Sequence, residues 1–229
     1  MRRAWVLVLA TLLVGACSGR NKEQAFFDEV ASLSKDEVYA RAEAYAEEKD
    51  WEEARRYFSF LADSFPNDPL GRKASLRVAD SFFARNDIES LTEAQLRYRD
   101  FANRFPSDPN RPYALLMLGR CHYQQGRGSG RDLTPVREAR AAFEQVVELF
   151  PDSPHAAEAR ELLAKCLEDL AGHELEVARY YLRSGRPEGA RLRLQYLIAN
   201  YPNTEAAREA APILDQVSGV PSDGAPAKW

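Results

Sequence analysis

Histidine is scarce in this 229-residue chain, and methionine and cysteine are as rare: three His, three Cys and two Met. His122, His155 and His173 lie far apart, with no metal-ligand spacing, nucleophile elbow or paired-carboxylate loop around them, so an enzyme reading lacks its residues. Beyond the N-terminal segment no apolar run is long enough to span a bilayer. Positive charge is not in excess either. The formal net charge is −4, and −6 once Arg2 and Arg3 are set aside, with basic residues scattered rather than striped. That argues against a nucleic-acid partner. The glycine-rich stretch Gly126-Arg127-Gly128-Ser129-Gly130-Arg131-Asp132 lacks the Gly-Lys-Ser/Thr ending of a phosphate cradle and follows no strand, so it reads as an inter-helix loop. No cofactor and no metal are expected.

What the chain has is a phrase repeated four times: an aromatic residue followed by proline, at Phe65-Pro66, Phe105-Pro106, Phe150-Pro151 and Tyr201-Pro202. Each closes an apolar helical pattern. Counting back from the prolines, Ala54 and Phe58 share their spacing with Ala94 and Tyr98, with Ala139 and Phe143, and with Ala190 and Leu194. Tyr45 and Tyr181 stand nine residues before the first and last of these alanines, which reproduces the spacing of the tetratricopeptide (TPR) repeat. A helix pair cannot bury its apolar stripe alone; a small alanine lets the next helix approach and an aromatic fills the gap. Proline ends each second helix because it lacks an N–H and pushes the preceding residue away from helical angles. Asn67-Asp68-Pro69, Ser107-Asp108-Pro109, Asp152-Ser153-Pro154 and Asn203-Thr204 then supply cap oxygens for the next helix. The predicted fold is all-α, a TPR-like solenoid of about four and a half repeats in two abutting halves.

At the N-terminus, Arg2 and Arg3 precede the apolar run Ala4 to Val14, and Val14-Gly15-Ala16-Cys17 resembles the lipobox of bacterial lipoproteins. The resemblance implies cleavage after residue 16, acylation of Cys17 and, with Ser18 next, transport to the outer membrane of a Gram-negative cell. Residues 1–16 are thus a signal peptide, and 17–33 a lipidated tether whose Phe26-Phe27 patch either docks on the first repeat or lies on the surface. Repeats one to three occupy 34–151. Residues 152–217 hold the C-terminal repeats, with one long helix from about His155 to Arg183 and a last helix from Thr204, and 218–229 form a disordered tail.

Repeats in this order behind a lipobox resemble the BamD family, the TPR lipoproteins of the outer-membrane β-barrel assembly machinery. The stretches that carry the resemblance are Phe65-Pro66-Asn67-Asp68-Pro69; Phe105 to Asn110 with Tyr113, Met117 and Gly119; Phe150 to His155; Val177-Ala178-Arg179-Tyr180-Tyr181; and Gly185, Ala190, Arg193 and Tyr201 to Thr204. Membership implies a scaffold on the periplasmic face of the outer membrane. Its C-terminal repeats bind a POTRA domain of the BamA-like barrel-forming protein and its N-terminal repeats receive unfolded outer-membrane clients. Accessory lipoproteins are partners in the family, from whose pattern this chain departs with a short repeat-three loop and a Pro/Gly tail in place of a further helix. The family's repeat register turns Tyr39, Glu43, Arg77, Ser81, Tyr113, Arg120 and Tyr123 toward a client groove, where tyrosine and arginine suit an aromatic-ended peptide with a terminal carboxylate. The alternative for each is a solvated helix face. Arg179, Tyr180, Arg183 and Arg193 are the POTRA-contact candidates, and Arg193 serves equally as an intramolecular salt bridge. His122 falls at a core position. Cys121 and Cys166 lie on first helices of neighbouring repeats, either bridged or as two buried thiols. Another TPR lipoprotein, serving pilus or secretin assembly or cell division, would share the repeats and the lipobox.

Overall fold

The computed structural model describes residues 23–129 and 132–218. The expected signal peptide, Cys17 with the first part of its tether, Gly130, Arg131 and the tail from 219 lie outside the described residues. Among the described residues all regular structure is helical. Helix α1 covers residues 23–31. It is followed by α2 (Lys35–Glu47), α3 (Trp51–Ser64), α4 (Pro69–Phe83), α5 (Ile88–Arg104), α6 (Arg111–Ser129), α7 (Thr134–Leu149), α8 (Ala156–Arg183), α9 (Pro187–Asn200) and α10 (Glu205–Ser218).

The chain divides into two compact units at Arg85/Asn86. In the first, α2 packs on α3, α3 on α4, and α2 touches α4. In the second, α5 to α10 pack each on the next, α6 also meets α8, and α10 returns to α8. Contact with the next helix and the next but one is the pattern of a helical repeat, and the fold is TPR-like. The unit boundary differs from the division expected after residue 151. Helices α7 and α8 pack directly on each other across the Phe150-Pro151 turn.

The repeat register is the core register. Ala54, Ala94, Ala139 and Ala190 are completely buried, as are Phe58, Tyr98, Phe143 and Leu194. The residue before each proline takes one geometry: Phe65, Phe105, Phe150 and Tyr201 have φ −133°, −124°, −135° and −132° with ψ 53°, 65°, 52° and 47°. Each still donates its N–H to the carbonyl four residues back. Asp68 and Thr204 cap α4 and α10, accepting from Leu70 N at 2.9 Å and Ala207 N at 3.1 Å. Asp108 and Ser153 instead bond within the turns ahead of their helices, accepting from Asn110 N at 2.8 Å and His155 N at 3.2 Å, and α8 starts with no side-chain cap. Helix α8 runs unbroken through Gly172, where a Cβ would meet nothing within 4 Å. At Gly119 the opposite holds, since a Cβ would lie 2.4 Å from the Phe143 ring.

The Gly126–Asp132 loop is shorter than expected, because α6 continues to Ser129. Glycine is tolerated at 126 for a packing reason: a Cβ there would come within 2.8 Å of Val136 on α7. The described part of the expected tether, from residue 23, is by contrast packed down. Phe26 is buried with its ring 5.0 Å from Tyr57 and 6.3 Å from Phe60, while Phe27 stays exposed.

His122 is buried where α5, α6 and α7 meet. Its Nδ1 lies 2.9 Å from Glu138 Oε2 on α7, and on α5 Gln95 Nε2 and Arg99 Nη2 lie 2.9 and 3.3 Å from its Nε2. A neutral ring donating from Nδ1 to Glu138 keeps one lone pair at Nε2 for the nearer donor, Gln95, with Arg99 at the longer distance. Burial lowers its pKa from the usual 6.5, against the pull of Glu138 and with the help of Arg99.

Two outcomes follow from this packing. Gly119→Ala should lose about 1–3 kcal/mol of stability through overpacking, whereas Gly172→Ala should gain about 0.5–1 kcal/mol from helix propensity; urea unfolding of the two variants checks both signs. Above pH 6.5 His122 is neutral folded and unfolded and contributes no pH dependence; below 6.5 the unfolded chain takes up a proton that the native chain refuses, so stability falls as pH drops toward the native pKa. Unfolding curves of His122→Gln should lack that part of the acid-side slope.

Candidate functional site

In the first unit, helices α2 and α4 carry four of the expected groove residues. Two are core instead. The Tyr39 ring is buried edge-on to Phe58 at 5.4 Å, under the Lys73 ammonium at 4.9 Å, and burial raises its phenol pKa well above the usual range. Ser81 is wholly buried and donates its hydroxyl to the Val78 carbonyl at 2.6 Å. Its place on the α4 stripe with Ala74 and Val78 is the reason: i, i+4 and i+7 face the core together. Glu43 and Arg77 remain part-buried and hold each other through two bonds, Arg77 Nη2 to Oε2 at 2.6 Å and Nε to Oε1 at 3.0 Å, while Nη1 reaches Asp80 at 2.9 Å. Burial opposes both charges, yet the paired hydrogen bonds prevail, lowering the Glu43 pKa and raising that of Arg77. An incoming carboxylate must therefore compete with two already in place.

In the second unit, α6 presents the remaining three. Tyr113 is half-buried against Tyr98 and His155, with ring centroids at 6.4 and 5.4 Å. Arg120 and Tyr123 line a cavity of about 660 Å³. Leu133 and Val136 give it an apolar wall at the start of α7; Leu162, Lys165 and Asp169 close it from α8. Tyr123 donates to Asp169 at 2.9 Å, and Arg120 lies 3.4 Å from Glu158. Gln124 also lines the cavity, and its buried Oε1 has no hydrogen-bond partner. A buried acceptor left unsatisfied costs about 1–3 kcal/mol. The arrangement offers two cations beside the Asp169 carboxylate, an aromatic ring and an apolar wall. That set suits a short peptide segment carrying an aromatic side chain and a carboxylate. Gln124, Lys165 and Asp169 were not legible in the sequence, since three helices must pack before their side chains converge.

The partner-contact candidates lie on α8 and α9. Arg193 Nη1 bonds Glu174 Oε2 at 3.0 Å, and the two are unequal: the Arg193 side chain is 45% exposed and that of Glu174 10%. Arg193 thus neutralises a buried carboxylate while keeping part of its guanidinium at the surface. Arg179 pairs with Glu209 of α10 at 3.0 Å, Tyr180 is exposed, and Arg183 is exposed in the last turn of α8. The structure adds Leu192 and Tyr196, both exposed and one turn apart beside Arg193 on α9. Their signal was present in the register: neither falls on the buried Ala190, Leu194, Leu197 stripe.

Cys121 and Cys166 are buried and no disulfide joins them; burial pushes the Cys166 thiol up to about 12. Among the described residues, no group of three or more His, Cys, Asp or Glu is placed to hold a metal ion, and no helix is long and apolar enough to cross a membrane.

Comparison with known proteins places this geometry. The model of the family described as YfiO, outer membrane lipoprotein, matches residues 31–218. Relatives named outer membrane protein assembly factor BamD align over most of the chain. That of Neisseria meningitidis serogroup A is 28% identical, covering 91% of this chain and 82% of its own length. That of Haemophilus influenzae is 27% identical, covering 89% and 78%, and that of Caulobacter vibrioides 25%, covering 89% and 65%. With the family model spanning every helix from α2 to α10, and the aromatic-proline register buried as a repeat core, the chain belongs to the YfiO family of outer membrane lipoproteins.

Proposed function

We propose that this chain is an outer-membrane protein assembly factor, held on the periplasmic face of the outer membrane by acyl chains on Cys17 and acting as a non-catalytic scaffold. The observation that carries the reading is the family match over residues 31–218 together with relatives named as BamD assembly factors. In this reading the α8–α9 surface around Arg193, Leu192 and Tyr196, with Arg179, Tyr180 and Arg183 as further candidates, receives a POTRA domain of the barrel-forming protein. The α6–α8 cavity receives a client segment. Arg120 and Lys165 attract its carboxylate, and Tyr123 and the apolar wall take its aromatic side chain. Glu43 and Arg77 are retained as secondary candidates, whereas Tyr39 and Ser81 are left to the core. Depleting the protein should lower folded β-barrel proteins in the outer membrane; barrel levels that hold steady through depletion contradict the reading.

Two variants address the surfaces separately. Lys165→Glu should weaken binding of a peptide with a C-terminal aromatic residue by about tenfold, one charge-assisted contact or roughly 1.4 kcal/mol, measured by titration calorimetry. An unchanged affinity removes the cavity from the client path. Arg193→Gln strands the Glu174 carboxylate and should lose about 1–2 kcal/mol of stability. Adding Glu174→Gln should restore the stability without restoring co-purification of the barrel protein. Recovery of both would confine Arg193 to holding α8 against α9.

A further inference from the structure

We propose that α1 is a membrane-surface strap: it holds the first unit against the phospholipid headgroups and sets Phe27 into them. The inference rests on the lipid anchor at Cys17 proposed above.

Helix α1 is fixed to the unit that follows. Val30 and Phe26 are buried, the Arg56 guanidinium lies 4.0 Å from the centre of the Phe26 ring, and Glu29 accepts from Tyr57 Oη at 2.9 Å while pairing with Arg41. These contacts come from both α2 and α3, so α1 moves with the unit rather than as part of a free tether. Five residues, 18 to 22, separate it from the acylated cysteine, six Cα–Cα steps in all. Even fully extended they span about 20 Å, less than the thickness of a bilayer. The start of α1 therefore stays within that distance of the membrane surface.

The exposed side of α1 fits such a position. Phe27 is 49% exposed, and among the described residues up to Arg85 it is the only large apolar side chain so exposed. Ala31 lies one turn beyond it, also exposed, and Gln24 one turn before, its amide donating to Asp28 at 2.9 Å, which occupies part of that carboxylate. A lone exposed phenylalanine is ordinary on a protein surface. Here it is ten residues from the acylation site, and an apolar ring held next to the headgroup layer gains by entering it. In sequence, the segment between Cys17 and α1 carries two basic residues, Arg20 and Lys22.

The test uses the full lipidated protein in vesicles of phosphatidylethanolamine and phosphatidylglycerol. A nitrobenzoxadiazole label is placed on Phe27→Cys and, as control, on Asp63→Cys in α3; Cys121 and Cys166 are buried. The label at 27 should be quenched by headgroup-level spin-labelled lipid and be several-fold less open to iodide than the label at 63. Equal iodide quenching at both positions, in protein that floats with the vesicles, overturns the strap and leaves the anchor standing. Protein that does not float overturns both.

Discussion

Close approach of helices at small residues is the constraint on which the rest depends. Completely buried alanines at 54, 94, 139 and 190 and the glycine at 119 bring successive helices near enough for Phe58, Tyr98, Phe143 and Leu194 to fill the space between them. Gly71 shows how little slack remains: a Cβ there would lie 1.9 Å from the Phe65 carbonyl oxygen, at the turn that ends the preceding helix. The aromatic-proline turn and the tight contact are therefore one device, stopping a helix and seating the next one on it.

Because the scaffold is this close-packed, polar residues inside it are few, and apart from the Tyr39 hydroxyl those in the core are occupied. His122 is shared among Gln95, Arg99 and Glu138, and Glu174 is met by Arg193. Glu168 on α8 caps α10, accepting from Glu205 N at 2.9 Å and Ala206 N at 3.0 Å. Each of these ties one helix to another, so the angles between helices are set by hydrogen bonds as well as by packing. Around the cavity between α6, α7 and α8 the charged groups line open volume, Tyr123 bonds Asp169 and Arg120 pairs with Glu158, while the buried Gln124 carbonyl oxygen has no partner. A rigid frame around an unsatisfied pocket is what a binding scaffold needs, since the receiving side chains are already fixed.

Much of this was legible before any coordinates. The four aromatic-proline turns, the alanine register, the unbroken α8 and the cap residues follow from local chemistry that the sequence displays directly. Where reading failed, non-local packing decided. Tyr39 and Ser81 look like surface positions until α2 and α4 are set against their neighbours. Gly126 looks like loop until Val136 needs the space of its missing Cβ. Phe26 and Phe27 are adjacent and chemically identical, and only the ring cluster of Tyr57 and Phe60 separates the buried one from the exposed one. The cavity had no sequence signature, because Arg120, Gln124, Lys165 and Asp169 sit on two helices whose phase must be known first. The family resemblance pointed to Arg193 but not to Glu174 as its partner.

The central claim, that this lipoprotein is a scaffold for β-barrel assembly, is tested most directly by purifying the tagged, lipidated protein from detergent-solubilised outer membranes and identifying by mass spectrometry what remains bound. The account predicts a barrel-forming protein with POTRA domains. Recovery instead of a secretin, pilus or division protein, with no POTRA-containing barrel, would contradict it.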